Sequence, residues 1–328
     1  MPRIAISAIA LAVFSATTGC GEFELPSIVL DLRILAMQVE PPEIVIEFDP
    51  ENLPQSPSDI QIDDIQVCAL VADPADSRGL EFVMSACAPT ETLRCDGPER
   101  PFTPVGQGMV GDPEDAGQPV TICGTLVPDI RLFNVLQDAV ENDSLSGFGG
   151  VAVLIDLAVF PAGSDIDHAE WAAKRMLFAP RIPAERVANR NPSLDELHIT
   201  REGGEEISAP LGRCGDIAPV TASPGEKLDF EPVETEGARE NYVVPTFEGG
   251  SRMFTENLTY SWYASTGKWQ REISGGPIDF AGNEPPLDSK WTAPEEVTAA
   301  GQDVRFWLVQ RDERGGLKWY ETCVHVAP

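Results

Sequence analysis

The chain has 328 residues, of which 53 are acidic and 23 are basic, so its formal net charge is −30. Because phosphate binding needs basic patches, this balance argues against a nucleic-acid partner. The acidic residues are scattered along the chain, which is typical of a solvated surface. The length predicts two domains, and no apolar run beyond the first twenty residues is long enough for a membrane-spanning helix.

The first twenty residues have the order of an export signal. Arg3 supplies a basic start, residues 4–14 are mostly apolar, and small residues lead to Cys20. This apolar run is too short to span a bilayer as a helix, but it has the length of a signal peptide core. The segment resembles a bacterial lipoprotein signal, in which a small residue such as Gly19 precedes a cysteine that receives lipid.

We therefore predict a signal peptide over residues 1–19, lipidation of Cys20 and a tether over residues 20–30. The resemblance implies a diacylglycerol thioether on Cys20 and a further acyl chain, such as palmitate, on its amine. Two or three such chains hold a soluble domain on a membrane. Gly21 after the cysteine implies the outer membrane, on either its periplasmic or its surface face. The alternative is a conventionally secreted protein in which Cys20 is free or disulfide-bonded.

Six further cysteines remain, an even number that predicts disulfide bonds in an exported chain. Two lie in apolar strand-like runs, two flank a short turn-rich loop, and two bracket the C-terminal part. We accordingly expect the pairs Cys68–Cys123, Cys87–Cys95 and Cys214–Cys323. Zinc is the competing interpretation, but no Cys-x₂-Cys pair occurs and no histidine stands at ligand spacing.

Short apolar runs separated by turns predict a mainly β protein with two antiparallel β-sandwich domains, the second immunoglobulin-like. The N-terminal domain would cover residues 31–188 and the C-terminal domain residues 194–328. Residues 189–193 would form the linker, since Asn and Pro favour turns. Residues 129–141 break the β pattern and predict one helix, inserted in the first domain, because Ile130, Phe133, Leu136 or Gln137, and Val140 recur at three- to four-residue spacing.

Three other stretches carry specific expectations. Residues 88–118 are rich in Pro and Gly and predict a long loop. Residues 169–179 predict a strand, although Trp171, Arg175 and Phe178 would also share one face of a helix. Residues 240–247 predict an edge strand, because Pro245 has no N–H to donate.

Several motifs are similar to those of one protein group. They are Arg33-Ile34-Leu35-Ala36 with Glu40-Pro41-Pro42-Glu43, Tyr260-Ser261-Trp262-Tyr263-Ala264, Trp291-Thr292-Ala293-Pro294, and Arg311-Asp312-Glu313-Arg314-Gly315-Gly316. Together they resemble uncharacterised myxobacterium-type surface lipoproteins with immunoglobulin-like β-sandwich domains. Asn189-Arg190-Asn191-Pro192 resembles the link between domains in that group. These are strand and turn residues, so the resemblance implies a fold and no activity.

Catalytic signatures are missing from the sequence. It contains no Gly-x-Ser-x-Gly elbow, no HExxH and no phosphate-binding glycine loop, and its histidines are His168, His198 and His325. We therefore predict a protein that is not an enzyme and has no cofactor. The best metal candidate is a calcium site at Asp165, Asp167 and Glu170. The central glycine and further acids of a calcium-binding loop are missing, which favours a solvated acidic turn.

Aromatic residues are concentrated near the C-terminus. Trp307 and Trp319 lie on opposite arms of a predicted final hairpin, and Trp307 is out of phase with the apolar residues of its own strand. With Tyr320, they predict either a cross-strand structural pair or an exposed platform for a glycan or peptide.

Three functions follow from these features. The first is a non-catalytic, lipid-anchored cell-envelope protein that acts as an interaction or scaffold module for other envelope proteins. The second is a glycan or cell-wall polymer binding module that uses the C-terminal aromatic hairpin. The third is a hydrolase without a recognisable motif. An exposed edge strand would favour the first, because partner proteins can add a strand to it.

Overall fold

The computed structural model describes residues 25–47, 62–74, 78–97, 100–111, 119–145, 147, 149–246 and 248–328. The predicted signal peptide, Cys20 and the start of the predicted tether lie outside these residues. Within them, strands dominate and one α-helix occurs, which confirms the prediction of a mainly β fold.

Two sheets and one helix build the N-terminal half. The elements are β1 (Arg33–Glu40), β2 (Glu43–Ile46), β3 (Ile65–Ala72), β4 (Leu80–Cys87), β5 (Phe102–Val110), β6 (Val120–Leu126), α1 (Ile130–Asn142), β7 (Val151–Pro161) and β8 (Glu170–Pro180). The order in the smaller sheet is β1-β3-β6, and the order in the larger is β2-β8-β7-β4-β5. Alternating apolar residues from both sheets, such as Val67, Ile122 and Val153, meet in one core, as in a β-sandwich.

Helix α1 forms where the sequence predicts it. Its buried residues are Leu132, Val135 and Ala139, whereas Ile130 is 58% exposed and Val140 is 41% exposed. Apolar residues occupy two neighbouring faces of this helix, and Leu136, which belongs to the predicted apolar period, packs partly buried against the first core. Spacing along the chain could not decide which of these faces meets the larger sheet.

The N-cap of α1 gives a direct test of its local stabilisation. The Asp129 carboxylate accepts hydrogen bonds from the backbone N–H groups of Arg131 at 2.9 Å and Leu132 at 3.3 Å. We expect Asp129→Ala to lower the free energy of unfolding by about 1 kcal/mol, measured by urea denaturation. Asp167→Ala, at an exposed turn, is the control, and an equal effect of both variants would contradict the capping role.

The predicted loop over residues 88–118 is wrong, because it contains strand β5. This strand pairs with β4 along its length. Its glycines are needed for packing, since a Cβ at Gly106 would lie 3.3 Å from Gly124 Cα and 3.4 Å from the Phe82 ring. The prediction of a strand over residues 169–179 is confirmed by β8, which excludes the helical alternative.

Twelve strands form the described C-terminal half. They are β9 (Leu194–Arg201), β10 (Glu206–Ser208), β11 (Val220–Ala222), β12 (Lys227–Glu234), β13 (Asn241–Pro245), β14 (Ser251–Thr255), β15 (Thr259–Ala264), β16 (Lys268–Trp269), β17 (Ile273–Gly275), β18 (Ser289–Thr292), β19 (Gln302–Arg311) and β20 (Leu317–Val326). Sheets β10-β9-β12-β18-β16 and β11-β20-β19-β15-β17 enclose a second core, while β13 and β14 form a separate hairpin. Most pairs are antiparallel, but β2 with β8 and β11 with β20 are parallel.

Aromatic rings fill the centre of the second core. Phe306 lies 4.8 Å from Trp291 and 5.7 Å from Trp269 between ring centroids, with near-perpendicular planes in both pairs. Trp262 and Phe230 complete the group. Edge-to-face pairs of this kind add to the stabilisation from burial. The first core ends with Phe178 and the second begins with Leu194, so the cores lie on either side of the predicted linker.

Three disulfide bonds join the six described cysteines in the pairs expected from the sequence. Cys68–Cys123 joins directly opposed residues of β3 and β6, Cys87–Cys95 closes a short loop, and Cys214–Cys323 spans 109 residues of the C-terminal half. Disulfide bonds are typical of exported proteins.

Candidate functional site

The outer faces of two sheets meet between the halves of the chain. Leu35 on β1 and Leu70 on β3 pack with Trp307 and Val309 on β19 and with Leu317 on β20. These five side chains are at most 3% exposed. A third apolar cluster therefore joins the N-terminal half to the C-terminal half.

Of the two alternatives for the C-terminal aromatic residues, this contact favours a structural role for Trp307 over an exposed platform. Trp307 is 1% exposed, so its ring is not available to a glycan or peptide. Its out-of-phase position arises because Phe306 and Leu308 face the second core while Trp307 faces the N-terminal half. Trp319 packs partly buried in the same interface. Tyr320 packs instead against the second core, and its hydroxyl accepts the Leu194 N–H at 2.7 Å.

Beside this cluster, three motifs that are far apart in the sequence meet. They are Glu40-Pro41-Pro42-Glu43, Asn189-Arg190-Asn191-Pro192 and Asp312-Glu313-Arg314-Gly315-Gly316. We call this place the junction. Its centre is Glu43, whose side chain is 1% exposed. The Glu43 carboxylate accepts hydrogen bonds from Arg186 Nη2 at 2.8 Å, from the Asn189 N–H at 2.8 Å, and from Arg314 Nη2. Glu43 thus binds one arginine from each side of the predicted linker.

The predicted linker is tied to both halves by polar contacts. Asn189 is 1% exposed and donates from its amide to Asp312 Oδ2 at 3.1 Å. Asn191 donates to the Val39 carbonyl at 2.8 Å and accepts the Leu317 N–H at 2.8 Å. These contacts fix the backbone where the sequence suggested only a turn-rich connection.

The turn between β19 and β20 is shaped to enter the junction. Asp312 Oδ1 accepts the N–H groups of Arg314 at 2.8 Å and Gly316 at 2.7 Å. A Cβ at Gly316 would lie 2.9 Å from the Arg190 carbonyl and would also clash with Asp312. Glycine is therefore required at position 316 by close approach of the backbone.

Further carboxylates surround Arg314. Its Nη1 atom lies 3.3 Å from Glu256 Oε1 and 3.7 Å from Glu240 Oε2, and its guanidinium lies over the Tyr242 ring at 4.9 Å. Burial raises the pKa of Glu256 to about 7. Burial also lowers the pKa of Lys174, which donates to the Gly315 carbonyl, to about 8, although the charge of Asp312 opposes this shift. The junction thus brings several charged side chains close together in a largely buried place.

The raised pKa of Glu256 predicts a pH dependence of stability. Between about pH 5 and about pH 7, the folded chain keeps a proton on Glu256 that the unfolded chain has released. The contribution of Glu256 to the free energy of unfolding should therefore fall as pH rises through this range. Glu256→Gln keeps an oxygen acceptor but cannot titrate, so its stability should vary less with pH in urea denaturation. Glu295→Gln is the exposed control. If the free energy of unfolding of Glu256→Gln changed with pH as much as that of the wild type, Glu256 would not be the group responsible.

The predicted tether over residues 20–30 is wrong for its described end. Ser27 is 1% exposed and Val29 is fully buried. The Val29 N–H donates to the Ala264 carbonyl, and the Ala264 N–H donates to the Ser27 carbonyl, both at 2.9 Å. Residues 27–29 thus form a bridge with β15 in the C-terminal half.

The residues with catalytic or metal-binding potential are dispersed. His325 Nδ1 lies 2.6 Å from Asp303 Oδ1, but Gly301 packs against the ring, where a Cβ would be 2.7 Å from Cε1. His198 lies between Glu196 and Glu206, and His168 is exposed in a short turn. Within the described residues, the side chains that contact the rings of His198 and His325 as hydrogen-bond or ion-pair partners are carboxylates.

The acidic candidate for calcium does not assemble in the described chain. Asp165 caps the short turn through a 3.4 Å contact with the Asp167 N–H, and Asp167 and Glu170 are exposed. Among the residues that the structure describes, no three potential ligands are grouped closely enough to hold a metal ion. Nor is any helix in those residues long and apolar enough to cross a membrane.

The β13–β14 hairpin presents a different kind of surface. Every residue of β14 is exposed, and Met253 is 73% exposed. The Glu256 N–H donates to the Glu240 carbonyl and the Thr246 N–H to the Gly250 carbonyl, both at 2.9 Å. Because such bonds alternate along an antiparallel pair, the N–H of Met253 points away from β13. Sequence reasoning placed an edge strand at β13 but missed β14.

Comparisons with known proteins identify no family. No family model matches the chain, and no curated protein sequence matches it. The chain is similar in structure to red sea bream transglutaminase (TM-score 0.23, 7% identity), covering 90% of this chain and 32% of that one. It is also similar to a mutant of Salmonella alpha-2-macroglobulin, with a TM-score of 0.21 and 8% identity over 93% of this chain and 17% of that one. The match to E. coli alpha-2-macroglobulin has a TM-score of 0.20 and 8% identity, over 89% of this chain and 16% of that one. The chain spans less than a third of the length of each of these proteins.

Proposed function

We propose that this chain is a non-catalytic, lipid-anchored protein of the cell envelope, in the outer membrane, that acts as an interaction or scaffold module. It holds a partner protein by accepting an extended segment of that partner along β14. The observation that carries this proposal is the outer edge of β14, which pairs with no second strand among the described residues, together with the exposed apolar side chain of Met253. Backbone hydrogen bonds give affinity in such strand addition, and side chains give specificity.

The two edges of the hairpin differ in a way that supports β14 as the docking strand. Pro245 on β13 occupies an outward-facing position and has no N–H to offer. Proteins commonly block an edge in this way to prevent unwanted pairing. The β14 edge carries no proline, so the outward N–H of Met253 can be offered to a partner strand.

The junction supports a scaffold role. Glu43, Asn189 and Arg314 hold the two halves to each other through buried contacts. A rigid arrangement lowers the entropy that a partner must remove on binding. The glycan-binding alternative relied on an exposed Trp307, and the burial of that residue removes its support. The hydrolase alternative gains no support from the partners of His198 and His325.

Crosslinking and pulldown from intact cells test the docking strand. Met253→Pro removes the outward N–H without removing a bond to β13, and Met253→Ala removes the side chain but keeps that N–H. We expect the proline variant to lose a partner that the wild type captures, and the alanine variant to retain most of it. Thermal unfolding of both variants checks that they fold. Equal capture by Met253→Pro and wild type would reject strand addition.

Membrane fractionation tests the anchor separately. Cys20→Ser should move the protein from the membrane fraction to the soluble fraction, because the variant cannot receive the thioether lipid. Mass spectrometry of the wild type should give a chain that begins at residue 20 and carries acyl mass. Continued sedimentation of Cys20→Ser with membranes would reject the lipid anchor but leave the docking strand untouched.

A further inference from the structure

A loop of the C-terminal half carries large apolar side chains in solvent. Residues 276–286 follow β17, and we call them the apolar loop. Phe280 at its tip is fully exposed and Ile278 is 56% exposed, while Ile273 on β17 is 62% exposed. Exposed apolar groups that lie together mark surfaces for partners or membranes.

The tip of the apolar loop is a defined turn. The Asp279 carboxylate accepts the N–H groups of Ala281 at 2.8 Å and Asn283 at 2.9 Å, and the Asn283 side-chain amide at 2.9 Å. Gly282 has a φ of 87°, which glycine adopts without steric cost. The charge of Asp279 is therefore directed into the turn, and Phe280 is held outward.

The first described residues of the chain lie along the same sheet edge. The N–H of Ala264 donates to the Ser27 carbonyl and the N–H of Trp262 to the Glu272 carbonyl, so both partners lie along one edge of β15. The Ser27 hydroxyl also donates to Glu272 at 3.0 Å. Residues 27–29 therefore lie beside Glu272, the residue that precedes β17.

The length of chain before this point limits where a lipid on Cys20 could lie. Leu25 is five residues after Cys20, so their Cα atoms are at most about 18 Å apart. A lipid on Cys20 would thus hold the β15–β17 edge close to the bilayer surface. The apolar loop extends from the other end of the same edge, where the Gly276 N–H donates to the Leu258 carbonyl at 2.7 Å.

We propose that the apolar loop inserts Phe280 and Ile278 into the interfacial region of a phospholipid bilayer, as a second membrane contact beside the lipid on Cys20. This inference rests on the proposed lipid anchor. Acyl chains and apolar side chains act together in stable membrane attachment. The headgroups must be zwitterionic, because the net charge of −30 and the neighbouring Glu284 would be repelled by anionic lipid. Such a contact would set one orientation of the C-terminal half on the membrane.

Quenching by brominated lipid tests this contact in the full lipidated protein. Phe280→Trp places an indole at the loop tip, and Phe102→Trp places one at a 54% exposed position on β5 as a matched control. In phosphatidylcholine vesicles, bromine on the first carbons of the acyl chains quenches only indoles that reach the boundary between the headgroups and the acyl chains. We expect Phe280→Trp to lose emission that the wild type and Phe102→Trp keep. Slower hydrogen exchange of residues 276–286 in the vesicle-bound wild type should accompany this loss.

The outcomes separate the loop from the anchor. If the protein floats with the vesicles but Phe280→Trp is quenched no more than Phe102→Trp, the loop does not enter the bilayer and the inference is wrong. If the wild type does not float with the vesicles, the anchor and the second contact are both rejected. Quenching of both added indoles to the same extent would reject the orientation that places the apolar loop at the membrane.

Discussion

Glu43→Ala should lower the free energy of unfolding by about 3–5 kcal/mol, because removing one partner of a buried ion pair leaves uncompensated charge. Arg186 and Arg314 approach the same carboxylate, and their side chains are only 10% and 14% exposed. Arg186 would lose its carboxylate partner, and Arg314 would keep only Glu256 and Glu240 beside it. Urea denaturation of the protein with its disulfides intact, followed by tryptophan fluorescence, measures the change.

A neighbouring surface pair gives the matched control. Glu47 lies 2.6 Å from Arg181, and its side chain is 79% exposed. Because water screens this pair, Glu47→Ala should cost less than about 1 kcal/mol. Equal losses for Glu43→Ala and Glu47→Ala would show that the junction adds no more stability than an ordinary surface contact.

Trp307→Ala should also lower the free energy of unfolding by about 3–5 kcal/mol, the range for truncating a large buried aromatic side chain. The cavity would open between Leu35 and Leu70 of the N-terminal half and Val309 of the C-terminal half. We therefore expect the two halves to separate more readily, with faster cleavage near residues 180–188 in limited proteolysis.

Two further variants distinguish the interface from a general loss of packing. Trp307→Phe keeps a ring in the cluster and should retain most of the stability. Phe306→Ala, next along the strand, removes a ring from the second core instead. It should destabilise the protein without faster cleavage near residues 180–188. If Trp307→Ala proved neutral, the buried contact between the halves would be refuted.

Local signals explain which parts of the fold the sequence could predict. Asp129, followed by apolar residues at intervals of three to four, predicts α1. The even number of cysteines and their positions in the chain predict the three disulfides. Strand β5 was missed because Gly106 and Gly108 look like loop residues. They are strand residues because they allow the Phe82 ring to pack against the backbone, a tertiary requirement that composition does not reveal.

The junction could not be predicted, because its parts become a site only on folding. Glu43 and Arg314 are 271 residues apart, and each resembles a solvated charge when taken alone. From the sequence, the motifs around them predict only strands and turns. A charged residue next to an obligatory turn residue, such as Asp312 with Gly316, was the one local signal for the junction. That combination marks a turn whose polar groups face inward.

The Cys214–Cys323 disulfide encloses nearly the whole C-terminal half, including the protruding β13–β14 hairpin. A protease that cuts the chain between β13 and β14 would therefore release no fragment. The two pieces would stay covalently joined and would migrate as one band until a reductant is added. Covalent closure of this kind lets an exposed hairpin survive nicking, so the protein can display it in a compartment that contains proteases.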